Sequence, residues 1–185
     1  KAWRNAGILP VFAAGNDGED GPGSISCPAN YPESFAVAAI GQSNNLAYFS
    51  SLGPGYLTGI KPEISAPGME IRSSLRTGGY GESQGTSMAA PHIAGVAALL
   101  LSANPDLNVD QVQQVMIDTA VPLTNPDYPT SPNYGFGYGL VDALAAVESI
   151  QRSMIIGRVL AEGIDNEAPT VQHQARALAF YATLE

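Results

Sequence analysis

The chain has 185 residues, 45% of them hydrophobic and 14% charged, enough for one domain with a sizeable core. Its net charge of −9 argues against nucleic acid as a partner, because phosphate binding needs a basic face. A single cysteine excludes an internal disulfide, and 20 glycines with 14 prolines announce many turns.

Lys1 to Ala6 reads as the last turns of a helix, with Gly7 as its stop. Ile8 to Ala14 reads as a buried strand, and Pro10 lacks an N–H, so regular pairing is expected from Val11. A helix handing over to such a strand predicts an α/β domain with a mostly parallel sheet flanked by helices. Ligands of that class gather at the carboxyl ends of strands. Asn16 stands at such an end, although Gly15-Asn16 is by itself also a plain turn signal. Asp17 to Gly23 is an acidic, turn-rich loop. It can offer oxygens to calcium, but it lacks the full spacing of a calcium loop, so a solvated loop is expected and no metal ligand is assigned. Cys27 is expected to be a pocket-wall or core thiol, since nothing nearby lowers its pKa.

Phe35 to Ile40 is a short apolar strand and Gln42 to Asn45 a turn. The stretches 47–54 and 61–68 read as short strands with Pro-Gly turns, with Glu63 as a surface or helix-end carboxylate. Gly78 to Glu82 reads as a flexible lead-in.

That lead-in delivers Gly85-Thr86-Ser87-Met88-Ala89-Ala90-Pro91-His92-Ile93-Ala94-Gly95, continuing to Leu101. Thr86 or Ser87 can cap a helix here. Pro91 fits only if the helix has just begun. Ser87 is thereby placed at a helix N-terminus, where partial positive charge and free N–H groups suit an anion forming at a bound carbonyl. An ordinary capped core helix shares these general features. The helix is small and apolar on nearly every side, so burial is expected, and its apolar run falls short of the ~20 residues of a membrane span. His92 is five residues from Ser87, about 140° around the helix, so the two side chains point apart. His92 is expected to be a packed helical residue, not a base.

Asn104-Pro105 ends this helix. Asn108 and Gln111 form a capping box for the next, whose Val112, Val115, Met116 and Thr119 share a face. Pro122 to Asn133 is a loop. A last helix is expected to end near Ile150, with Leu140, Leu144 and Val147 as its stripe. Ile155 to Leu160 suggests a strand of a following domain, and Val171 to Leu184 an amphipathic helix carrying a solvated His173.

The wording of the nucleophile stretch closely resembles the serine motif of the subtilisin-like serine peptidases. Ala13-Ala14-Gly15-Asn16 resembles the same family's oxyanion motif, and the blocks 47–54, 61–68 and 134–143 resemble further parts of it. The resemblance spans about residues 1–150, leaving 151–185 as a tail or the start of another domain. It implies Ser87 as nucleophile and Asn16 as oxyanion donor together with the Ser87 N–H. It further implies that Ala13, Ala14 and Gly15, with the segment from Ser26 to Pro32, help to line the specificity pocket. A polypeptide substrate, a secreted and monomeric protein, and possible structural calcium without any certain cofactor follow from the resemblance alone.

Serine needs a base and an orienting carboxylate. The family order is Asp, His, Ser, so both are expected upstream of Lys1. The expected protein is therefore a serine endopeptidase of which this chain is the C-terminal part of the catalytic domain, inactive by itself. The alternative is a non-catalytic module that binds peptides or partners. An α/β-hydrolase esterase fits poorly, because Ala89 stands where its motif has glycine, and no phosphate-binding loop or dinucleotide fingerprint is complete.

Overall fold

The computed structural model describes residues 1–56 and 59–162. Helix α1 (Ala2–Asn5) is a single turn that ends before Gly7, whose φ of 76° glycine reaches without strain. Three parallel strands follow, in the order β1 (Val11–Ala13), β2 (Phe35–Ile40), β3 (Ile64–Pro67). Val11 pairs with Phe35, and Val37 with Ile64. Pairing does begin at Val11, after Pro10. The prediction of an α/β domain with a parallel sheet holds.

Every residue of β2 is buried, because both its faces are covered. Phe35, Val37 and Ala39 meet Ile64, Ala66 and the long helix α2 (Thr86–Ala103) on one face. Ala36 faces the other way, into a smaller cluster with Ala14, Ile25 and Ala29. α2 also packs against α3 (Val109–Asp118) and α4 (Ala143–Glu162). Its buried residues Ala89, Ile93, Leu100 and the adjacent Val96 and Ala97 lie three or four positions apart along the helix, the spacing of one helical face.

Several expectations need correction. The lead-in to α2 is a regular antiparallel hairpin, β4 (Ile71–Ser74) with β5 (Tyr80–Ser83), in which Arg72 rests over the Tyr80 ring. The stretch 47–54 forms no strand; it runs as turns that hold the loop after β1. Neither Thr86 nor Ser87 is the N-cap. Gly85 is, and it has no side chain with which to cap the helix. Pro91 stands inside α2, one turn beyond the expected start, and its missing N–H leaves the Ser87 carbonyl without its helical donor.

α2 is buried on one face only. Pro91, His92, Ala94, Gly95, Ala98, Leu99 and Leu101 are exposed, Leu99 by 52%. At 18 residues and mean hydropathy 1.4, α2 is also long and apolar enough to cross a membrane by length and composition, contrary to the short run expected. Its contacts with the sheet and two helices make it the core helix of this domain.

The capping box of Asn108 and Gln111 forms as read, and Val112 and Met116 are buried. On α4 the stripe differs: Ala146 and Ile150 are buried, Leu144 is exposed, and Leu140 precedes the helix. Residues 155–160 continue α4 and are not a strand. Val171 to Leu184, with His173, lie outside the described residues.

Candidate active site

The carboxyl end of β1 and the amino end of α2 meet. β1 ends at Ala13, and Gly15 turns the chain with φ of 117°. A side chain there would lie 2.6 Å from Ser51 Oγ, so only glycine allows this approach. Asn16 then faces the helix end. Its Oδ1 accepts from Thr86 N at 2.9 Å and from Thr86 Oγ1 at 2.9 Å. Thr86 is 1% exposed, and its hydroxyl also lies 3.2 Å from Gly15 N and Gly15 O. A helix end presents unpaired N–H donors. The carbonyl half of the Asn16 amide answers them, and the NH₂ half makes no hydrogen bond to another described residue.

A methyl group placed on Gly85 would lie 3.5 Å from Asn16 Nδ2 and 3.7 Å from both Ser87 N and Asn16 Oδ1, the oxygen already turned to Thr86. The two donors therefore border one small space. Ser87 beside it is exposed. Two backbone tethers fix the approach to the helix: Gly68 N donates to Ile40 O at 2.9 Å and Gly85 N to Gly68 O at 2.8 Å.

The other expected site residues fall around the same strand end. Ala13 and Gly15 are half-buried. Ala14 is turned into the core, where Ile25 and Ala29 pack on it, so only its backbone can face a ligand. That packing sets Ser26 and Cys27, both exposed, beside the end of β1. Cys27 is thus no core thiol. The neighbouring Cys27 thiol is the main cause that raises the Tyr31 hydroxyl above its ordinary pKa. His92 is exposed rather than packed, with Nδ1 2.9 Å from Met88 O. Among the described residues, no three His, Cys, Asp or Glu side chains converge on a metal-sized site.

Glu63 is not a surface carboxylate. It is buried and paired with the buried Lys61. Glu63 Oε2 accepts from Ala36 N at 2.8 Å, and Lys61 Nζ donates to Ser34 O at 2.6 Å and to Glu63 Oε1. Burial pushes Glu63 up to about 7 against the opposing pull of Lys61. Burial likewise draws Lys61 below its ordinary range. The pair fastens β2 to the approach of β3, behind the Ser26–Pro32 segment. Sequence reading missed it, although two opposite charges flanking Pro62 share a face in extended chain.

The sequence model of the subtilase family matches residues 1–139. The chain belongs to the subtilase family. It is 49% identical over 179 residues to Bacillopeptidase F of Bacillus subtilis (strain 168), covering 94% of this chain and 12% of that protein. Subtilisin E of the same organism is 41% identical over 145 residues, 78% of this chain and 35% of the relative. Among solved structures, the prenylagaramide maturation protease PagA superposes with a TM-score of 0.67 at 31% identity, covering 79% of this chain and 52% of that one. This subtilase chain therefore spans an eighth to about a third of the length of these two curated relatives. The Bacillopeptidase F alignment covers more of the chain than the subtilisin alignment does.

Proposed function

We propose that this chain is the C-terminal part of a serine peptidase domain that hydrolyses polypeptides through an acyl-enzyme on Ser87. The observation that carries the reading is the space bordered by Asn16 Nδ2 and Ser87 N beside the exposed Ser87. Ser87 Oγ attacks the scissile carbonyl carbon, and the carbonyl electron pair moves onto oxygen. Asn16 Nδ2–H and Ser87 N–H donate to that oxyanion. The Oγ proton passes to a base and then to the leaving amine. Water repeats the sequence to free the acyl group and restore Ser87.

The base and its carboxylate come, in this reading, from outside the described residues. His92 sits on the wrong side of α2 and bonds its own helix. The exposed apolar face of α2, the edge of β1 that pairs with no strand among the described residues, and exposed Trp3 and Ile8 support further chain packing there. Ala13, Gly15 and Ser26, with the Ala14 backbone, form part of the specificity pocket. The tail after residue 150 starts inside α4. Action outside the cell, as a monomer, belongs to the same proposal.

A serine-directed phosphonate tests it in the protein that carries this chain. Ser87→Ala abolishes labelling, and persistent labelling would assign the nucleophile elsewhere. Asn16→Ala lowers kcat by about 10²–10³, a value taken from a subtilisin relative, with KM little changed. The isolated 185-residue chain shows no peptidase activity; a clear rate from it would overturn the fragment reading.

A further inference from the structure

Asn16 makes no backbone hydrogen bond to another described residue, yet its neighbours on both sides are fixed by one residue. Ser51 N donates to Gly15 O at 3.0 Å, and Ser51 Oγ accepts from Asp17 N at 3.0 Å. Ser51 is fully buried. The grip continues along the same segment, where Gly18 N donates to Phe49 O at 2.8 Å. The absence of a Cβ on Gly15 is what lets the Ser51 hydroxyl reach this place. The Asn16 side chain is held from the other direction by Thr86. A carboxamide fixed through Oδ1 alone can still swing about its χ angles if its backbone shifts. Clamping residues 15 and 17 removes that freedom.

We infer that Ser51 is a positioning residue for the Asn16 amide, setting where Nδ2 stands when charge develops on the substrate oxygen. The inference rests on the proposed role of Asn16 as oxyanion donor. Ser51 touches neither substrate nor reacting atoms. It acts through the backbone on either side of the donor, and a donor displaced by a few tenths of an ångström loses much of its value in a transition state.

A double-mutant cycle in the active protein tests this. Ser51→Ala removes the acceptor for Asp17 N and leaves the bond to Gly15 O. The expected result is a kcat about tenfold lower, with KM unchanged. In the Asn16→Ala background the same substitution changes kcat by less than about twofold, because the group it positions is already gone. An equal factor in both backgrounds, an effect confined to KM, or no effect in the Asn16 protein would overturn the inference. If Ser51→Ala does not fold, Ser51→Cys carries the cycle. Its weaker acceptor gives a smaller loss of kcat that must likewise vanish without Asn16. If Asn16→Ala leaves kcat intact, the oxyanion assignment falls, and this inference with it. If Asn16→Ala lowers kcat but the Ser51 effect persists undiminished without Asn16, only the positioning role falls.

Discussion

Replacing Glu63 by glutamine should change how the stability of the protein depends on pH. Glu63 is buried beside Lys61, and burial raises it from 4.5 to about 7. Between those values the folded chain keeps a proton that the unfolded chain has released. Stability therefore falls as pH rises through this window: the contribution is full below 4.5 and lost through about 7. The window spans about 2.5 pH units at about 1.4 kcal/mol per unit, so the decline is about 3 kcal/mol. Lys61 acts on the alkaline side with the opposite sign. Its lowered pKa gives a contribution present above 10.5 and lost as pH falls through the lowered value. Glutamine cannot ionise, and its single oxygen cannot serve both Ala36 N and Lys61 Nζ. Glu63→Gln is therefore less stable than the parent near pH 4.5, by about 1–3 kcal/mol, and the gap narrows as pH rises toward 7. Urea unfolding at half-unit steps from pH 4 to 8, followed by tryptophan fluorescence, measures both curves. A gap that stays constant across the window would refute the account.

Gly137→Ala should destabilise by about 3 kcal/mol or more in the same urea assay, because φ is 66° and the new methyl would lie 2.3 Å from the Glu63 carbonyl. Asn108→Ala should cost about 1 kcal/mol through loss of the α3 capping box, read as a lower melting temperature. Ile93→Ala, fully buried under the sheet, should cost about 2–5 kcal/mol. Leu99→Lys should change the stability of the isolated chain by less than about 0.5 kcal/mol, since the side chain is exposed. In the longer protein it should be strongly destabilising if further chain covers that face, and equal effects in the two would remove the support that α2 gives the fragment reading.

The sheet was legible because β2 and the strand after Pro10 are short apolar runs with clear stops, although only β2 is buried throughout and β1, at the sheet's edge, is half-buried. The capping box was legible because its bonds are local. Burial of Glu63 was not, because a charge looks solvated until a partner is seen to share its face, and the partner sits across a proline. The hairpin before α2 was hidden by glycines at 78 and 79, which read as flexibility yet serve its turn. The half-exposed α2 escaped for another reason. A uniformly small, apolar helix carries too weak an asymmetry to mark one side, and its cover is not supplied by the residues described. Ser87 and Asn16 stand out by motif, whereas Thr86 and Ser51, which contact Asn16 or its backbone neighbours, do so through bonds 70 and 34 residues apart in sequence.

The bond between Thr86 and the Asn16 carbonyl oxygen has one more consequence. A helix beginning offers only hydrogens, so it sorts the two ends of the carboxamide: oxygen inward, nitrogen outward. An aspartate would fill the same outline and grip the helix at least as firmly, yet, in the role proposed for Asn16, it would turn a lone pair toward the negative charge that forms on the substrate oxygen. The difference between a cradle and a repellent here lies in the element at one terminal atom, with no change in shape.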